Sequence, residues 1–385
     1  MPPEKSLTAQ QTTPFDKPAM PNEHPPSDKA PLLPAEREML AHALREGHPL
    51  PREYLDRLFP LAPDGEFFWP GKYTPSPSPD PTESIPVYSQ TADTGGWRNR
   101  LFHADNLLLL PRLLHSPLTD DITRHGGVRL IYCDPPFAVG TDFRVTAGKA
   151  PSGNGPSAPA PRKQPLAFHD SWSSMGEYYS MLAPRLALMR DLLADNGILA
   201  LHCDWRAVAG LRHILDAIFG QKQFVNALVW HYTGGGRSKR YFSRKHDSIL
   251  LYAKGKHWVF NADAVRIPYA PTSGYAKSGI VSRAGKRYLP NPKGAIPDDV
   301  WSIPMVNPLA DERQPYATQK PLPLLDRLIQ AFTNPGDIVA DFFCGSGTTA
   351  HAAALASRRW LACDKGTIAV DVCIKRLELK KESTL

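Results

Sequence analysis

Four residues near the first third of the chain could do chemistry on their own terms. Asp134-Pro135-Pro136-Phe137 follows the apolar run Val128-Arg-Leu-Ile-Tyr-Cys133, which reads as a buried strand. Consecutive prolines remove two backbone donors and stiffen the turn, so the carbonyls are held outward. A carboxylate and a fixed carbonyl side by side can accept both hydrogens of an aromatic amine. Such an amine is a poor nucleophile because its lone pair is delocalised into the ring. Two acceptors draw the nitrogen toward tetrahedral geometry and aim the lone pair at an electrophilic carbon such as a methyl. Phe137 supplies a stacking face for the ring. Read blandly, the same tetrapeptide is a rigid turn with a capping aspartate.

A second candidate lies near the C-terminus. Asp337-Ile-Val-Ala-Asp-Phe-Phe-Cys-Gly-Ser-Gly-Thr-Thr-Ala350 passes from strand to tight turn to an alanine-rich helix. Gly345 and Gly347 let the backbone come close to a ligand, and the helix start behind them offers unpaired N–H groups. Asp364 follows the next strand, where an acid can hold a ribose hydroxyl. Taken alone, this fingerprint suits NAD as well as S-adenosylmethionine. Few residues follow Asp364, so the other strands of the sheet must come from earlier in the chain, a permuted order that ordinary dinucleotide-binding domains do not show.

The elements that must carry these two sites alternate between strand and helix. Helical spacing covers 177–195, closing on Asn196-Gly197, and again 207–219, 322–333 and 348–357. Strand patterns cover 128–133, 197–202, 224–232, 248–252, 337–341 and 359–363. Short helices are expected over 35–46 and 51–59. This alternation predicts an α/β protein with a mostly parallel sheet and helices on both faces. Residues 1–34 are rich in proline and charge and read as a disordered tail. Residues 73–82 read as a linker, and the Gly/Ala/Ser/Pro stretch 148–164 as a mobile loop that orders on binding a partner.

Composition narrows the field without deciding it. The chain has 385 residues, 40 of them proline, with a formal charge of +7, which is compatible with a polyanionic partner. The five cysteines form no C-x-x-C pair and read as free buried thiols of a reducing compartment. No apolar run reaches the ~18–20 residues that span a bilayer. The expectation is a cytoplasmic protein with no membrane association and no metal site.

The two sites, in this order, resemble the β-group of DNA amino-methyltransferases, which includes the modification subunits of type III restriction systems. The likeness extends over roughly 97–379. Arg98-Asn-Arg-Leu-Phe-His-Ala-Asp105-Asn106-Leu107 is similar to the segment before the catalytic strand, and Asp134 through Phe143 to the catalytic motif and its extension. Phe168-His-Asp170, Trp172 and Tyr178, the run from Ile214 to Trp230, and His246 to Tyr252 match later segments. Thr318-Gln-Lys320-Pro321 resembles the motif before the cofactor strand, and Asp341-x-Phe343-x-Gly345-x-Gly347-Thr348-Thr349 the cofactor loop. Phe342 replaces the usual proline, Asp364 a commoner glutamate, and Phe137 a commoner tyrosine.

The resemblance implies a permuted Rossmann-like methyltransferase fold, S-adenosyl-L-methionine as cofactor, and a base flipped from double-stranded DNA as substrate. Asp134, Pro135, Pro136 and Phe137 are then catalytic. Asp105, Asn106, Thr318, Lys320, Asp341, Phe343, Gly345, Gly347, Thr348 and Asp364 bind the cofactor: Asp105 its adenine, Asp364 its ribose, Thr318 and Lys320 its carboxylate. Aspartate at the head of the tetrapeptide implies adenine, with the exocyclic amine of cytosine as the alternative and an inactive DNA-binding or assembly subunit as the alternative of another class. The implied organisation is an N-terminal extension over 35–96, a catalytic half over 97–255, a target-recognition region over 256–315 and a cofactor half over 316–385. Arg237, Lys239, Arg240, Arg283, Lys286 and Arg287 are the cations expected on DNA phosphates, which position without reading sequence. Members often pair, so a homodimer is implied, as is association with a restriction or other defence-system subunit.

Overall fold

The structure is a computed structural model that describes residues 33–46, 67–72, 83–141, 143–144, 166–168, 170–234 and 236–385. The chain divides into two compact units, Met1–Glu66 and Phe67–Leu385. In the first, the described part is helix α1 (Pro34–Arg45), which buries Leu40 and Ala43.

The second unit is built on one ten-stranded sheet. Its strands are β1 (Pro86–Ser89), β2 (Arg100–His103), β3 (Val128–Cys133), β6 (Leu193–Cys203), β7 (Phe224–His231), β8 (His246–Ala253), β11 (Val300–Ser302), β12 (Ile338–Asp341), β13 (Arg359–Asp364) and β14 (Lys380–Thr384). Two short hairpins, β4 (Phe143–Arg144) with β5 (Leu166–Phe168) and β9 (Ile280–Val281) with β10 (Arg287–Tyr288), lie outside it. The order across the sheet is β11-β7-β8-β6-β3-β12-β13-β2-β1-β14. From β6 to β2 every neighbour is parallel, while β8 and β1 run against their neighbours on either flank.

The parallel strands are mainly apolar through their centres because both faces are covered. In β3, Ile131 and Cys133 face one side of the sheet and Leu130 and Tyr132 the other, the period of two expected of a strand. The first face packs against helices α2 (Asn106–His115), α3 (Pro117–Arg124), α4 (Met175–Leu192) and α5 (Val208–Phe219). The second packs against α7 (Leu322–Phe332), α8 (Thr348–Leu355) and α9 (Thr367–Leu377). A five-residue helix, α6 (Gly274–Ser278), sits apart near the β9–β10 hairpin. Each fully buried Leu or Ile in these layers contributes on the order of 2 kcal/mol.

The permuted order expected from the sequence is present. Among the described residues the third strand, β3, lies beside the twelfth, β12, with Tyr132 opposite Asp341. From β3 the chain crosses to β6 on one side, and from β12 to β13 on the other. The crevice beyond their C-terminal ends is therefore a topological switch point, where ligands bind in open α/β sheets.

Several expected boundaries shift. The helix expected to close on Asn196-Gly197 ends at Leu192, and β6 begins at Leu193 rather than Gly197. Leu193 is extended and pairs with Val128, and the Lys254 ammonium donates to its carbonyl at 2.6 Å, so sheet pairing takes residues that helical periodicity had claimed. The residues after Asp364 add α9 and the edge strand β14, which pairs with β1. Residues 1–32, 51–59, 73–82 and 148–164, expected as tail, short helix, linker and mobile loop, lie outside the described residues. Among the described residues no helix is long and apolar enough to cross a membrane, and all five cysteines are buried and free.

Candidate active site

The Asp134 corner leaves β3 at its C-terminal end and is held by distant residues. The Asp170 carboxylate accepts hydrogen bonds from the backbone N–H groups of Phe137 (3.2 Å), Ala138 (2.6 Å) and Val139 (3.3 Å). This threefold grip holds Ala138 in the left-handed region, φ 55°, a conformation that a residue with a side chain resists. Burial raises the Asp170 carboxyl above the usual range even against those three donors. Behind the corner lies fully buried His202, whose Nδ1 is 2.6 Å from the Tyr132 hydroxyl and 3.9 Å from Asp134 Oδ1. Its Nε2 faces Asp247 at 3.4 Å, and the Tyr232 hydroxyl donates to Asp247 at 3.1 Å. Burial works to raise Asp247, but His202 and the nearby Lys320 hold it below the usual range.

The carboxylate of Asp134 is itself engaged. Lys320 donates to both its oxygens, at 2.7 and 2.5 Å, and the same ammonium lies 4.9 Å from the Phe137 ring centroid. Lys320, on the loop before α7 and expected at a cofactor carboxylate, pairs here with Asp134 and lines the same cavity as the glycine loop. Gln319 fixes that loop, accepting from the Gln314 N–H at 2.7 Å and donating to the Glu312 carbonyl at 2.8 Å.

The glycine corner leaves β12 beside it. Gly345 (φ 49°) and Gly347 (φ 73°) both take left-handed backbone. Gly347 is the N-cap of α8, and a Cβ there would lie 2.8 Å from the Cys373 sulfur of α9, so glycine is required for packing as well as for backbone. A Cβ on Gly345 would meet the Tyr316 ring at 3.0 Å. Asp364 accepts from the N–H of Gly345 (2.9 Å) and of Gly366 (2.8 Å), and burial raises its carboxyl. Asp341 accepts from the Thr349 hydroxyl at 2.5 Å and the Phe343 N–H at 3.0 Å; burial pushes it up to about 7.

The third wall is the start of α2. Asp105 caps the helix, accepting from the Leu107 N–H at 2.9 Å, and Asn106 donates to the Phe342 carbonyl at 2.7 Å. Arg185 of α4 ties both together, 2.6 Å from Asp105 and 2.6 Å from Asn106. Burial opposes ionisation of Asp105, but Arg185 and the cap hold it below its ordinary value.

One cavity of about 520 Å³ joins these walls. Asp134, Pro135, Pro136 and Phe137 line it, as do Asp105, Asn106, Thr318, Lys320, Asp341, Phe343, Gly345, Thr348 and Asp364. Gly347 does not: it stands behind the loop, against Cys373. The expected DNA-facing cations Arg237, Lys239, Arg240, Arg283, Lys286 and Arg287 are all exposed, and none of them lines the cavity. Arg283 lies between the strands of the β9–β10 hairpin, close to Lys286, and Arg287 begins β10. Sequence reasoning missed Arg185, His202 and Tyr316. Arg185 is hidden in a helical pattern, and His202 lies in a strand where a lone histidine carries no signal. Asp170 was visible as part of a matching segment, but its role as an anchor was not.

A permuted, mostly parallel mixed sheet with an acidic turn and a glycine loop on adjacent strand ends defines a Rossmann-like methyltransferase fold. The chain belongs to the N6/N4 DNA methylase family, which it matches over residues 128–375. It is 26% identical to the type II methyltransferase M.EcaI of Enterobacter cloacae over 73% of this chain and 70% of that protein. It is 34% identical to the DNA adenine methyltransferase YhdJ of Escherichia coli strain K12, over 40% of this chain and 51% of that one. With the type III StyLTI Mod subunit of Salmonella typhimurium it shares 24% identity, over 69% of this chain and 51% of that protein.

Proposed function

We propose that this chain methylates the exocyclic amine of adenine in double-stranded DNA, with S-adenosylmethionine as donor. One observation supports it above the rest: the Asp134 turn and the Gly345 loop open into the same cavity. That volume lies within the ~300–1,000 Å³ typical of small-molecule sites. Its walls fit a nucleoside with a charged tail, with a close-approach backbone at Gly345 and Phe343, carboxylates at Asp105 and Asp364, and Thr318 with Lys320 across from them. S-adenosylmethionine supplies an electrophilic methyl on a sulfonium when bound.

The protein's own groups do the rest. The Asp134 carboxylate and the Pro135 carbonyl accept the two amino hydrogens of the flipped base, and Phe137 stacks on its face. Lys320 gives up Asp134 when the amine arrives, so the ion pair keeps the carboxylate charged and oriented until substrate displaces it. Asp134 takes the proton that the methylated nitrogen sheds. Residues 97–255 and 316–385 serve as the catalytic and cofactor halves, and 256–315 as the target-recognition region.

Adenine follows from the aspartate that heads the tetrapeptide, and a relative named as an adenine methyltransferase agrees with it. The test is transfer of labelled methyl from S-adenosylmethionine to unmethylated plasmid DNA, followed by nucleoside analysis. Labelled N6-methyl-2′-deoxyadenosine is expected. Label in N4-methylcytosine would overturn the choice of base, and DNA that stays unlabelled would overturn the activity.

A further inference from the structure

A ledge of aromatic and cationic side chains begins three residues beyond His202, on the edge of the sheet that carries Asp134. β6 runs parallel to β3, so the chain leaving Cys203 emerges on that edge, and His202 is 3.9 Å from Asp134. Trp205 is 44% exposed there. The loop between β7 and β8 comes to meet it: the Arg244 guanidinium lies 3.8 Å from the Trp205 ring and 4.8 Å from the Tyr241 ring. Tyr241 is 57% exposed and Phe242, at the tip, is 100% exposed.

This tip is built rather than loose. The Ser238 hydroxyl accepts from the N–H of Arg240 (3.1 Å) and Tyr241 (3.3 Å), the Ser238 N–H donates to the Ser243 hydroxyl (3.0 Å), and Lys245 donates to the Gly234 carbonyl. A turn pinned at both ends projects its largest apolar side chain into solvent. Around it Arg237, Lys239, Arg240 and Arg244 form ion pairs with no carboxylate among the described residues. Exposed aromatic surface set among unpaired cations suits a polyanion with stacked rings better than an apolar protein partner.

We infer that this ledge binds duplex DNA, with Arg244 and its neighbours on phosphates and Phe242 entering the base stack as a wedge beside the base that turns toward Asp134. The inference rests on the proposed function for its substrate and names residues that reading does not use. Apolar wedges of this kind unstack one step and hold it open. A duplex already missing one base offers that gap without the cost of unstacking.

The test is fluorescence polarisation with a fluorescein-labelled mixed-sequence duplex and the same duplex carrying one central abasic site. The wild-type protein is expected to bind the abasic duplex at least about five-fold tighter. Phe242→Ala, at a fully exposed position, should fold normally and bind both duplexes alike. Arg244→Ala should weaken both equally and reduce the salt dependence by about one phosphate contact. A Phe242→Ala variant that keeps the preference overturns the inference, as does wild-type protein with no preference or no duplex binding. So does a Phe242→Ala variant that turns dimers into monomers while its DNA titrations match wild type, which would give the ledge to a second copy of the chain. Wild-type protein that binds duplex but methylates no DNA sinks the proposed function and leaves the DNA-binding ledge standing.

Discussion

The two corners of the cavity are made from adjacent strand ends, yet they are held in opposite ways. At the glycine corner the two carboxylates are fixed by backbone N–H groups and one hydroxyl of the corner itself. Asp364 grips Gly345 and Gly366, Asp341 grips Thr349 and Phe343, and Gly347 is wedged against Cys373. At the aspartate corner the Asp134 carboxylate is met by a long, flexible lysine from 186 residues away, and the turn hangs from a single distant carboxylate, Asp170. The contrast separates shape from exchange. On the proposed function, the corner that recognises one molecule is frozen, and the carboxylate that trades one hydrogen-bond partner for another is held by a group that can leave.

The sharpest way to break this contrast is a pair of variants read by two measurements. Asp134→Ala should lower methyl transfer by about 10³-fold while leaving cofactor affinity within about three-fold, because no backbone contact depends on its side chain. Gly347→Asp should do the reverse, weakening cofactor binding by about 100-fold or more, since a side chain in left-handed backbone would collide with Cys373 and push the loop into the cavity. Isothermal titration with S-adenosylmethionine and single-turnover transfer read the two separately. Loss of cofactor affinity in Asp134→Ala would show that the corners are not independent.

A smaller effect is expected at Asp170. Removing its carboxylate in Asp170→Ala frees three N–H groups and releases Ala138 from its left-handed conformation. Turnover should fall by roughly 10- to 100-fold through a misplaced Pro135 carbonyl and Phe137 ring, a positional loss of the kind that accompanies shifts of about 1 Å. Cofactor affinity should again stay unchanged. If Asp170→Ala turns over normally, the corner is held by its prolines alone.

How much of this was legible in the sequence follows the same division. Strands β3, β12 and β13 were readable because parallel strands buried on both faces are continuous apolar runs, and Val128–Cys133 was found to the residue. The short half-exposed strands β1, β2 and β14 carry no such run, and α2 contains Pro111, which hides a helix from periodicity. Residue types at Asp134 and Gly345 announced chemistry because few other jobs need them. What no local pattern could announce were the partners: Lys320 on Asp134, Arg185 on Asp105, and Asp170 on the turn are contacts across 31 to 186 positions. The same residue types on any surface would look ordinary.

The smallest effect concerns the frozen corner and is a matter of sign. Asp341 is buried at the end of β12 with a carboxyl pushed up to about 7, whereas an unfolded aspartate titrates near its ordinary value of 3.8. Between those two values the folded protein keeps a proton that the unfolded chain has shed, so stability falls as pH rises through this window and levels off above about 7. The slope from one such group is at most about 1.4 kcal/mol per pH unit. Asp341→Asn removes the titration while keeping the size of the side chain and one acceptor for Thr349 or Phe343. At pH 5 the variant should be the less stable of the two, having lost an acceptor; by pH 7 the difference should shift in its favour by roughly 2 kcal/mol. Urea denaturation of both proteins at the two pH values measures this, and carboxylates other than Asp134 and Asp364, the two whose charge acts on Asp341, cancel in the comparison. Parallel pH profiles would mean that Asp341 is already ionised in the fold, and that the glycine corner carries a charge its hydrogen bonds fully compensate.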